Sequence, residues 1–162
     1  MKIRTLVLVL LSAVALALPG ISSAQTHDTW YGTWKLDPSQ STCNPAPCGP
    51  MQPQTIKLEP SKDGMKQTTD TAGKDGQNSR AEIKAKFDGK DYPVPGAVGA
   101  YTYAFQRIDE HTYERVTKKD GQIVATVRSV VSEDGKTRSQ TTMGKNSQGE
   151  SVAVATFVFT KQ

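Results

Sequence analysis

Beyond about residue 30 the chain is written in twos. The clearest stretch runs from Asn78 to Asp88: Ala81, Ile83, Ala85 and Phe87 fall on one face, and Arg80, Glu82, Lys84 and Lys86 on the other. A period of two marks a half-buried antiparallel strand. No window shows a convincing amphipathic period of 3.6. The alternating segments are punctuated by Asp-Gly steps at 63–64, 75–76, 88–89, 120–121 and 134–135. Both residues of such a step accept positive φ, so each reads as a hairpin turn. Strands are therefore predicted at 30–36, 54–59, 65–71, 78–87, 91–94, 99–108, 112–118, 122–131, 137–143 and 152–160.

Strands joined in sequence by tight turns form a meander. A meander this long must close on itself or leave two unpaired edges. The expected architecture is all-β, an antiparallel up-and-down β-barrel of eight to ten strands. A two-sheet sandwich is the alternative, but it usually needs Greek-key crossovers, and most connections here are too short. One connection is long, 37–53, and it contains STCNPAPCGP with the chain's two cysteines, Cys43 and Cys48.

The reading of those cysteines depends on compartment. The chain opens MKIRTLVLVLLSAVALALPGISSAQ. Lys2 and Arg4 precede an apolar run of 13 residues, Leu6 to Leu18, and Ser22-Ser23-Ala24 follows. This is the pattern of a secretory signal cleaved after Ala24. As a helix the run would reach roughly 20 Å, short of a hydrocarbon core of about 30 Å. The domain expected is then residues 25–162, a single unit in the periplasm or outside the cell, with no membrane span after cleavage. Two of the 20 basic residues and none of the 16 acidic ones lie in the signal, which leaves a net charge of +2. With no basic run interleaved with aromatics, that balance gives no footprint for nucleic acid.

In an oxidising compartment the cysteine pair reads as a local disulfide. Zinc would need four ligands, and the two histidines, His27 and His111, show no ligand spacing to the pair. A redox centre usually has Cys-x-x-Cys at a helix start, whereas here four residues intervene and Pro45, Pro47, Pro50 and Pro53 forbid a regular helix. No metal and no cofactor are expected.

Tyr31-Gly32-Thr33-Trp34 places a Gly-x-Trp on the opening strand. Together with GTWKLDPSQS at 32–41, KFDGKDYPVPG at 86–96, RIDEHTYE at 107–114, VVSEDGKT at 130–137 and SVAVATFVFTKQ at 151–162, it gives the chain a family likeness. The set resembles the lipocalin superfamily and the related fatty-acid-binding proteins. It is more similar still to secreted bacterial lipocalin-like (calycin-type) proteins of unknown function. The resemblance implies a barrel plugged at its closed end by Trp34, with Gly32 allowing close backbone approach and Lys161 covering the indole. It also implies that the proline-rich cysteine loop stands where fatty-acid-binding proteins carry a helical lid.

No catalytic constellation emerges. His111 sits beside Asp109 and Glu110 in an apparent turn, and the Ser and Thr residues read as solvent-facing strand formers. The chain is expected to be no enzyme. Arginine is the more informative residue: Arg107, Arg115, Arg128 and Arg138 fall one each on four successive strands. Guanidinium matches a carboxylate bidentately, and barrels that hold acids often pair Arg with Tyr. If Ile108 pairs with Thr112, then Tyr101, Tyr103, Phe105 and Arg107 share a face with Tyr113 and Arg115. If Ile108 pairs with His111, the two arginines lie on opposite sides. The first register gathers more apolar surface and is preferred. The expected ligand site is Tyr103, Phe105, Arg107, Tyr113 and Arg115, for a small, partly apolar, fatty-acid-like molecule bound by a monomer. The alternative is a cell-envelope structural or interaction module with a filled barrel.

Overall fold

The computed structural model describes residues 29–62, 64–74, 76–145 and 148–162. The expected signal and its cleavage point lie outside these residues. Ten strands follow one another: β1 (Gly32–Cys43), β2 (Gln54–Ser61), β3 (Gly64–Ala72), β4 (Asn78–Ala85), β5 (Asp88–Pro93), β6 (Tyr101–Arg107), β7 (Thr112–Lys119), β8 (Gln122–Val131), β9 (Thr137–Lys145) and β10 (Ser151–Lys161). They form one antiparallel sheet in the order β4-β3-β2-β1-β10-β9-β8-β7-β6-β5. Pairing of β1 with β10 joins the ends of the meander, for example Trp34 opposite Lys161 and Leu36 opposite Phe159. No described helix is long and apolar enough to cross a membrane.

The sheet is a nearly closed barrel, open along one seam. β4 and β5 are neighbours in sequence yet share no ladder. The Asp88-Gly89 step, expected to make a hairpin turn there, lies inside β5 instead. A bulge falls between Asp88 and Asp91, with Gly89 at φ 71°. Phe87 explains the change. Its ring turns into the core, 5.8 Å from that of Tyr113 and 6.5 Å from that of Phe105, so the chain at this point cannot also turn tightly outward.

The predicted long connection 37–53 is shorter than expected, because β1 runs on to Cys43. Pro38 is tolerated inside it for two reasons. β1 pairs with β2 only over Gly32–Lys35, and its register against β10 shifts between Asp37 and Thr42. Proline's missing N–H is harmless at such a one-sided, irregular place. Side chains hold the irregularity: Ser39 Oγ and Gln40 Nε2 each donate to the Asp37 carboxylate at 2.6 Å, and the Val158 amide donates to Ser41 Oγ at 3.0 Å.

The inward faces fill unevenly. Trp30, Trp34, Leu58, Met65, Phe105, Tyr113, Val131 and Phe159 pack into one end of the barrel. Trp34 Nε1 donates to the Trp30 carbonyl at 2.9 Å, and Trp30 Nε1 to the Glu110 carbonyl at 2.9 Å, which ties the segment just before β1 to the β6–β7 turn. The two indoles close this end. Toward the other end the inward residues become smaller and more polar, and space remains.

Candidate functional site

That space is a cavity of about 300 Å³ inside the barrel. It is well above a water's share of liquid volume, about 30 Å³. Ile56, Ile83, Val94, Val127 and Phe157 supply its apolar lining. Gln54, Gln67, Thr69, Glu82, Gln140, Thr142, Tyr103 and Arg115 supply its polar lining, and the Glu82 carboxylate is paired with Lys66 at 3.0 Å. A second hollow of about 380 Å³ lies at the mouth, formed by Leu36, the Cys43–Cys48 loop, Pro50 and Met51, and it shares Gln54 and Phe157 with the cavity. The disulfide itself is formed, with the two Cα atoms 5.0 Å apart.

Register decides which arginines meet. Arg107 pairs with Tyr113 and Phe105 with Arg115, and the Ile108 amide donates to the Thr112 carbonyl. This is the preferred register, so the aromatics and both arginines do point to one side of the β6–β7 ribbon. They do not lie at one depth. Arg107 ends β6 at the rim of the closed end, exposed, where its Nε donates to the Asp109 carbonyl at 3.1 Å and its Nη2 to that of Glu110 at 3.3 Å. It fastens the turn and does not line the cavity. Phe105 is wholly buried in the packed end, and Tyr113 nearly so. Of the five expected residues, Tyr103 and Arg115 line the cavity. The Arg115 guanidinium carbon lies 4.5 Å from the Tyr103 ring centroid.

The second interior arginine is Arg138, on β9, which sequence reasoning placed in the series of four but left out of the site. It is 0% exposed, among the most buried side chains of the protein. It stands between Val131 on β8 and Phe159 on β10. Its Nη2 donates to Tyr113 Oη at 2.5 Å, and its guanidinium carbon lies 5.5 Å from the Tyr113 ring and 5.8 Å from the Phe159 ring. Nε and Nη1 of Arg138 and Nε of Arg115 are buried and have no hydrogen-bond partner among the described residues. Burial pushes the Arg138 guanidinium below its ordinary pKa; the Tyr113 hydroxyl opposes this, and neighbouring Arg115 adds to it. The signal that marks Arg138 is strand phase. On β9 it alternates with Gln140 and Thr142, opposite the inward residues Val131, Ser129 and Val127 of β8.

At the closed end Lys161 Nζ sits 5.0 Å from the Trp34 ring centroid and donates to the Thr29 carbonyl at 2.9 Å. A Cβ on Gly32 would meet Lys161 Cε at 2.7 Å, so what comes close to Gly32 is a side chain rather than another backbone. His111 lies at the β6–β7 turn, its Nε2 3.4 Å from Glu110 Oε1. No group of three or more His, Cys, Asp or Glu able to hold a metal occurs among the described residues.

The site is therefore a mixed cavity with one guanidinium in its wall and a second, fully buried, near the first. Such an arrangement favours an anion, since each cation gains a partner it otherwise lacks. Among solved structures, the chain is similar to a Schistosoma mansoni fatty acid binding protein in complex with arachidonic acid. The TM-score is 0.55 at 12% sequence identity, over 83% of this chain and 96% of that one. At this identity the likeness shows the fold, a nearly closed all-β barrel. No protein-family model and no curated protein matches the sequence.

Proposed function

We propose that this chain is a secreted, non-catalytic, lipocalin-like binding protein that acts as a monomer. It carries a small, partly apolar acid in the barrel, with the acid group toward Arg115 and Arg138. One observation carries the reading: two interior guanidinium groups, Arg115 in the wall of a cavity large enough for a ligand and the wholly buried Arg138 near it, have no carboxylate partner among the described residues. Removing a cation from water without a partner costs several kcal/mol. An organic anion repays that cost, and the apolar wall takes its body. The cavity argues against the filled-barrel alternative. The apolar N-terminal segment ending in Ser22-Ser23-Ala24 and the formed Cys43–Cys48 disulfide support export.

The test compares carboxylic acids with their methyl esters in thermal melts. A ligand that binds only the folded state stabilises it by about 2.7 kcal/mol at a hundred times its Kd. Acids should raise Tm and esters should do so much less. Arg115→Leu with Arg138→Leu should erase the difference. Equal shifts for acid and ester would remove the anion from the reading, and no shift for either would return the barrel to a structural role.

A further inference from the structure

The wall of the cavity across from Arg115 sets a glutamine among apolar residues. In the sheet order β3 and β7 lie six strands apart one way round and four the other, so Gln67 on β3 stands across the barrel from the arginine side. Gln67 is 6% exposed, placed between buried Leu58 and Ile83 in the ladders, and it lines the cavity. Its Nε2 donates to Thr69 Oγ1 at 3.2 Å, and its Oε1 is buried without a partner. Turning the amide over would exchange the two ends and leave the amine without an acceptor, so either orientation leaves one polar end for the cavity. An apolar residue would pack better between Leu58 and Ile83. A glutamine there invites a ligand group that can bond to it.

We infer that the preferred ligand is an acid carrying a second hydrogen-bonding group, a hydroxyl, across from its carboxylate, and that Gln67 selects it over an unbranched fatty acid. This rests on the anion-binding reading above. Buried and unpartnered, Gln67 Oε1 stays unsatisfied beside a methylene chain, whereas a ligand group that hydrogen-bonds to it removes that cost. A hydroxyl both donates and accepts, so it answers either orientation of the amide. Sites built around a buried polar partner discriminate strongly against analogues that lack the matching group.

The experiment measures Kd by calorimetry for decanoic acid and its chain-hydroxylated isomers, with the full exported protein and with Gln67→Leu. In the natural protein the best-placed hydroxy acid should bind at least about tenfold more tightly than decanoic acid, a difference of about 1.4 kcal/mol. Gln67→Leu should reverse the order, and decanoic acid should bind the variant several-fold more tightly than it binds the natural protein. The preference for acid over ester should survive in the variant. Gln67→Met, nearly the same length, reports on the role of Gln67 if the leucine variant does not fold. Decanoic acid binding as tightly as every hydroxy isomer, or an unchanged order in the variants, overturns this inference and leaves the anion-binding reading standing. If neither kind of acid binds, that reading falls and takes this one with it.

Discussion

Lys161 reaches the face of Trp34 through the space a side chain at Gly32 would occupy. Gly32 has φ 136°, a conformation L residues rarely adopt, so two independent terms hold glycine there. Gly32→Ala should cost about 1–2 kcal/mol for the backbone alone, measured by urea denaturation. It should also displace Lys161 from the indole. Gly32→Ala combined with Lys161→Ala should cost less than the two single changes added together, since both singles lose the same contact. Strict additivity would show that Lys161 does not depend on Gly32. The arginines show what sequence tells at this scale and what it does not. Alternation assigns a side chain to a face of its own strand, and the preferred register then put Arg107 and Arg115 on one side of their ribbon. It does not assign depth along the barrel. Arg107, at a strand end, reaches the turn carbonyls, whereas Arg138 begins only one residue into β9 but is covered by Phe159 and Val131 from both neighbours. Depth depends on the stagger between strands, which no single strand's pattern contains.

Turns and strands were the most readable level. The Asp120-Gly121 step forms a left-handed pair, φ 50° and 78°, and joins β7 to β8 as the dipeptide requires. Asp88-Gly89 carries the same signal but becomes a bulge, because Phe87 beside it is drawn into the core. The β8–β9 turn shows how a turn aspartate contributes. The Asp134 carboxylate accepts from Ser132 Oγ at 2.6 Å and from the Lys136 amide at 3.0 Å. These bonds, the hydroxyl's first, favour the ionised form and hold the pKa below its ordinary 3.8. The folded state therefore binds the proton less readily than the unfolded chain. The stabilisation is complete above the ordinary value and is lost as pH falls through the depressed one. Asp37 and Asp109 are depressed likewise, by the Ser39 hydroxyl and the His111 amide first. Stability should fall on acidification from pH 5 to pH 3, across that ordinary aspartate value. Asp134→Asn should be the less stable protein at pH 5 and should lose less on acidification. A parallel shift of the two acid-denaturation curves would count against the turn.

At the scale of the whole molecule, the meander's closure followed from sequence, but the position of its seam did not. Pairing of β1 with β10 removes the edges a linear meander would leave at its first and last strands, and the two edges of the sheet fall instead at β4 and β5, which share no ladder. Ala81, Ile83 and Val94 bring the cavity wall up to that seam. The opposite question, what stands at the mouth, returns to the cysteines. Cys43 ends β1, opposite Ala155 of β10, and the next amide, Asn44, donates to the Val154 carbonyl at 2.9 Å. The strand end is thus held by the ladder whether or not the sulfurs are joined. Cys48, Pro50 and Met51 lie beyond it and border the outer hollow. A six-residue ring restricts the unfolded chain by about 2 kcal/mol. Cys43→Ser with Cys48→Ser should therefore leave the barrel folded and lower its stability by about that amount in urea. The preference for acid over ester, set deeper by Arg115 and Arg138, should be unchanged, while a loosened mouth should alter the rates of ligand entry and exit. A double variant unfolded at room temperature would place the loop in the core, and unaltered rates in a folded variant would remove it from the path of the ligand.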